Sequence, residues 1–70
     1  MNLEIERKEG MPIGVEHTLI EATHLTDLDA AAAYLRASLP HWWIYRGGHH
    51  VALHLNCASP QKGKRIAFIY

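Results

Sequence analysis

Apolar and polar positions along this chain change period several times, and each change predicts an element. Residues 2–8 alternate, with Leu3 and Ile5 set against Glu4 and Glu6, and predict a strand with one wet face. Gly10, Pro12 and Gly14 make 9–14 a loop, with Met11 and Ile13 expected to fold back on the core. Residues 15–24 are again β-branched and alternating, and predict a second strand. Either Thr18, Ile20 and Ala22 or Val15, His17 and Leu19 would face inward. Over 26–39 the period becomes helical: Leu28, Ala31, Ala32, Leu35 and Leu39 share one face, Thr26 and Asp29 suggest a capping box, and Pro40 ends the run. A loop over 56–64 and a last strand over 65–70, read as a possible edge strand, complete the chain.

Positions 41–55 carry the densest pattern: two β-prone stretches around Gly47-Gly48, the signature of a hairpin with a two-residue turn. In that register Ile44 faces Val51, Trp42 faces Leu53, Trp43 faces Ala52, Tyr45 faces His50 and His41 faces His54. Alternation then sends Trp42, Ile44, Val51, Leu53 and Leu55 to a core face. Trp43, Tyr45, His41, His50, Ala52 and His54 share the other. The expected fold is α+β: a single antiparallel sheet in the order β-β-α-β-β-β, with one helix packed on one face. A helix of about 13 residues is roughly 20 Å long. It covers one sheet face, and nothing is left to cover the face of Trp43 and Tyr45.

Seventy residues make one small domain, 1–70, and 49% apolar content is that of a globular chain. Seven basic and seven acidic side chains cancel. A dedicated nucleic-acid binder carries a basic excess, so that class is not favoured. The one cysteine, Cys57, has no internal partner for a disulfide. With no apolar run near the ~18 residues of a membrane span and an N-terminus unlike a signal peptide, the expectation is a cytoplasmic protein without membrane or cofactor. Glu4, Glu6, Glu16 and Glu21 form an acidic strip on the first two strands. Lys62, Lys64 and Arg65 form the one basic cluster.

Six histidines are the compositional outlier. Across the predicted hairpin, His41 and His54 stand with Cβ atoms about 5 Å apart. With Cys57 from the following loop they are weak candidates for a metal site, since no compact ligand motif accompanies them. Trp43, Tyr45, His41, His50 and His54, together with Lys62, Lys64 and Arg65, are the candidate partner-binding residues. Exposed aromatic side chains on a sheet serve protein interfaces or base stacking.

Two resemblances add to this reading. Gly47-Gly48-His49-His50, followed by a strand and by Lys62-Gly63-Lys64-Arg65, resembles the HicA-type messenger-RNA interferases, with Gly48 at the family's hydroxyl position. That resemblance implies His50 as the catalytic acid or base on a phosphodiester, with Lys62, Lys64 and Arg65 holding phosphate. The overall layout, with Thr18-Leu19-Ile20-Glu21-Ala22-Thr23-His24-Leu25-Thr26 leading into an alanine-rich helix, resembles small phage-encoded inhibitors of CRISPR–Cas complexes. It implies a non-enzymatic module that binds a protein complex of the bacterial host and blocks it. The alternatives are the His50 ribonuclease and a histidine-rich homodimer.

Overall fold

The computed structural model describes residues 1–9, 11–55 and 63–70. Among the described residues six elements follow one another in the order β1 (Leu3–Ile5), α1 (Ile13–Ala22), α2 (Leu28–Ser38), β2 (Trp43–Arg46), β3 (Val51–His54) and β4 (Arg65–Ile69). The four strands form one antiparallel sheet in the order β1-β4-β3-β2. Both helices lie on the same face, where Val15, Leu19 and Ala22 of α1 and Ala31, Ala32 and Leu35 of α2 meet Ile44, Val51, Leu53, Ala67 and Ile69.

The expected strand over 15–24 is therefore a helix, and the order is β-α-α-β-β-β with two helices. Pro12 stands at the N-cap of α1 with φ −62° and ψ 152°, where its missing N–H costs no helical hydrogen bond. Val15, Leu19 and Ala22 then recur at helical spacing and are buried, while Met11 packs on the core and Ile13 stays exposed. Helix α2 begins one residue later than Thr26 suggested. Asp27 is its N-cap, and the Asp27 carboxylate accepts from the Ala30 N–H at 2.8 Å. The alanine run lets α2 lie close to both α1 and β2. Tyr34 also ties the helices together, its hydroxyl donating to the Glu21 carboxylate.

The hairpin closes through four residues rather than two. Gly47 N–H donates to the His50 carbonyl at 2.8 Å, and Ile44 pairs with Leu53, Tyr45 with Ala52, and Trp43 with His54. Relative to the expected register the strands are displaced by two residues. A two-residue displacement preserves alternation, so every strand residue keeps its predicted face.

The last strand is not an edge. β4 lies between β1 and β3, and the edges are β1 and β2. Between Leu53 and His54 the β3–β4 register shifts, so that Ala67 pairs with Leu53 but Arg65 pairs with His54. This bulge absorbs one residue. Ile66 and Ala67 are consecutive and both buried in the core, and Arg65 comes to the same side of the sheet as Phe68. Among the described residues no helix is long and apolar enough to cross a membrane.

Candidate functional site: the helix-free sheet face

With both helices on one side, the other side of the sheet carries three rows of side chains, set by register. One row runs Glu4, Phe68, Ala52, Tyr45. The next runs from Arg65 through His54 to Trp43, with Glu6 joined to Arg65 beyond it. At the opposite end Tyr70 is joined to Asn2 by two backbone hydrogen bonds, and His50 lies immediately before β3.

Rings on this face touch in sequence. The His50 ring lies between those of Tyr45 and Phe68, with centroids 5.8 Å and 6.4 Å away. Phe68 in turn lies 5.4 Å from Tyr70. These are aromatic-pair distances. In the register between Tyr45 and Phe68 stands Ala52, only 1% exposed. The outer rings keep their accessibility: Tyr45 is 43% exposed and Tyr70 49%.

A salt bridge borders the rings. Arg65 donates from Nε to Glu6 Oε1 at 2.6 Å and from Nη2 to Oε2 at 2.9 Å, a bidentate geometry. The hydrogen bonds from Arg65 hold the Glu6 carboxyl below its usual range, and the same pairing raises the Arg65 guanidinium. The Arg65 guanidinium also lies over the Phe68 ring. At this end a cleft of about 370 Å³ is lined by Glu6, Arg7, Lys64 and Arg65.

Trp43, Tyr45, His50, His54 and Arg65 are thus brought to one face, but their environments differ. Trp43 is half-buried, and its indole Nε1 is buried without a hydrogen-bond partner among the described residues. His54 is 8% exposed, with Nδ1 2.9 Å from the Gly63 carbonyl oxygen. A carbonyl only accepts, so Nδ1 carries the proton and the ring is held as a donor. His41 is exposed and does not face His54, whose partner across the hairpin is Trp43. The expected His41–His54 pair is therefore not formed. Cys57 and Lys62 lie outside the described residues. Among the described residues no three His, Cys, Asp or Glu side chains gather at metal-binding range.

His50, the residue implied as catalytic by the interferase resemblance, is held by packing. Its ring lies against Gly47, Tyr45 and Phe68 and makes no hydrogen bond among the described residues. Sequence reasoning missed Glu6, Arg7, Phe68 and Tyr70. The strands over 2–8 and 65–70 are legible in the sequence, but the pairing of the first strand with the last is not.

No protein-family model, curated protein or solved structure matches the chain. Fold and face together define a small α+β protein whose antiparallel sheet is backed by two helices on one side and lined with rings on the other.

Proposed function

We propose that the protein is a non-enzymatic interaction module that binds a protein partner through the face of Tyr45, His50, Phe68 and Tyr70. The observation that carries this reading is the linked row of rings on the face opposite both helices, with Tyr45 and Tyr70 strongly exposed at its ends. Tyrosine supplies large contact area at small entropic cost and is enriched among interface hot spots. The charges around the rings favour protein over nucleic acid. Glu4 stands opposite Phe68 in the register, and the Arg65 guanidinium over Phe68 is already paired with Glu6, so a phosphate backbone laid along the rings would meet the Glu4 carboxylate rather than an unpaired cation.

In its concrete form the proposal is an inhibitor that occupies a binding surface of a bacterial defence complex; the layout resemblance behind that form rests on a strand over 15–24, which is helix α1, so the ring-lined face alone supports it. Such a role asks for a small, preformed face and for no chemistry of its own. The experiment is affinity capture from nuclease-treated bacterial lysate, comparing wild type with Tyr45→Ser and Tyr70→Ser. A defined complex held by wild type and lost by both variants at unchanged melting temperature supports the reading. Equal capture by all three, or none by any, overturns it and returns attention to His50, whose His50→Gln variant would then be assayed for RNA cleavage.

A further inference from the structure

The cleft at the Arg65 end has a composition that the protein-binding reading does not use. Arg7 follows β1 and Lys64 precedes β4, and the β1–β4 pairing brings these distant parts of the chain together. Glu6 is the one carboxylate in the lining, and both its oxygens are occupied by Arg65. Arg7 and Lys64 make no side-chain hydrogen bond or ion pair among the described residues. Three cations and one carboxylate leave the lining with a net charge of +2 (3 − 1).

That balance selects a class of ligand. A phosphomonoester carries about −1.5 to −2 charges at pH 7 and three strong acceptor oxygens. It matches both the charge of the lining and its unengaged donors. A carboxylate brings one charge, and Glu6 already serves Arg65 in that capacity. The Glu6–Arg65 bridge also fixes the guanidinium before any ligand arrives, which lowers the ordering cost of binding. We propose that the Glu6–Arg7–Lys64–Arg65 cleft is a phosphomonoester site. Arg7 and Lys64 donate to the phosphate oxygens, and Arg65, held by Glu6, supplies the third positive charge. The site stands independently of a protein partner on the rings.

The test is titration of the isotope-labelled protein at pH 7.5 and constant ionic strength, followed by amide NMR. The probes are inorganic phosphate, AMP and a phosphoserine tripeptide, with chloride as the control. The expected result is saturable shifts confined to the amides around Glu6, Arg7, Lys64 and Arg65. Arg7→Gln and Lys64→Gln should each weaken binding roughly tenfold, the scale of one hydrogen bond to a charged group. Both side chains are exposed, so their variants should melt as wild type does. Tighter binding of AMP or of the phosphopeptide tells a nucleotide source from a phosphorylated side chain. Shifts linear in concentration for all probes, shifts matched by chloride, or saturation unchanged in the Arg7→Gln/Lys64→Gln double variant would each overturn the site. None of these results depends on Tyr45 or Tyr70, so the protein-binding reading stands or falls separately.

Discussion

Arg65 lies with its guanidinium carbon 4.5 Å from the centroid of the Phe68 ring, although the two residues are three positions apart on one strand. In a regular strand that spacing would put them on opposite faces. The register shift at Leu53/His54 cancels the alternation, turning Ile66 into the core and Arg65 onto the rings. Glu6 then holds Arg65 in place from β1's end of the chain.

This bridge gives the fold an acid-sensitive component. Pairing with Arg65 lowers the Glu6 pKa from its ordinary 4.5. A lowered carboxyl pKa means that the stabilisation is fully present above 4.5 and is lost as pH falls through the folded value. Denaturant midpoints of wild type should fall more steeply below pH 4.5 than those of Glu6→Gln, and the two should converge in strong acid. Both side chains are substantially exposed, so the separation should be small. Parallel curves across that window would show that the bridge contributes nothing to stability.

How far the sequence discloses this arrangement depends on the range of the contacts. The hairpin face was legible because alternation survives a two-residue error in register. Trp43, Tyr45, Ala52 and His54 therefore keep their shared side of the sheet. The first helix was not legible. Val15, Thr18 and Ile20 are β-branched, and Ile13 and Ile20 put apolar surface on its outer side. The helical spacing of Val15, Leu19 and Ala22 is thus hidden inside an alternating run, and Pro12 between Gly10 and Gly14 signals a loop as readily as a helix start. The β1–β4 pairing joins opposite ends of the chain and leaves no local mark. With it went Glu6, Arg7, Phe68 and Tyr70, which complete the face.

The two glycines of the hairpin should behave differently. A Cβ on Gly47 would stand 2.6 Å from His50 Nδ1, while one on Gly48 would meet nothing within 4 Å. Neither glycine adopts the positive φ that a two-residue Gly-Gly turn relies on. Gly47→Ala should therefore displace the His50 ring from between Tyr45 and Phe68, shift the aromatic resonances of all three, and cost about 1–3 kcal/mol. Gly48→Ala should leave the spectrum and the melting temperature nearly unchanged. Equal, small effects at both positions would show that His50 is not fixed by Gly47.

At the start of α2, two neighbouring aspartates make unlike contributions. Asp27 caps the helix by accepting from Ala30 N–H, and loss of such a cap costs about 1 kcal/mol. Asp29 accepts from Arg46 Nε at 2.9 Å, but its side chain is 83% exposed, where ion pairs contribute little. Asp27→Ala should lower the unfolding free energy by about that amount, and Asp29→Ala should lie within error of wild type. The reverse ranking would make the helix-to-hairpin bridge, rather than the cap, the feature that secures α2.

Trp43 and Tyr45 are close neighbours on β2, one half-buried and the other exposed, and substitutions should separate packing from recognition. Trp43→Ala should cost about 2 kcal/mol as a large, half-buried ring paired in register with His54 is removed. That is a severe loss for a domain of 70 residues. Trp43→Phe should cost much less. Its smaller ring loses contact area, but it also removes an indole N–H that is buried without a partner among the described residues, and relieving such a group offsets about 1–3 kcal/mol. Tyr45→Ala should change the melting temperature little and reduce capture of a protein partner by about 2 kcal/mol or more. Differential scanning calorimetry and capture on the same three variants would decide the matter. A Tyr45→Ala protein that loses stability as Trp43→Ala does would make Tyr45 a packing residue, and the rings would no longer be evidence of a binding face.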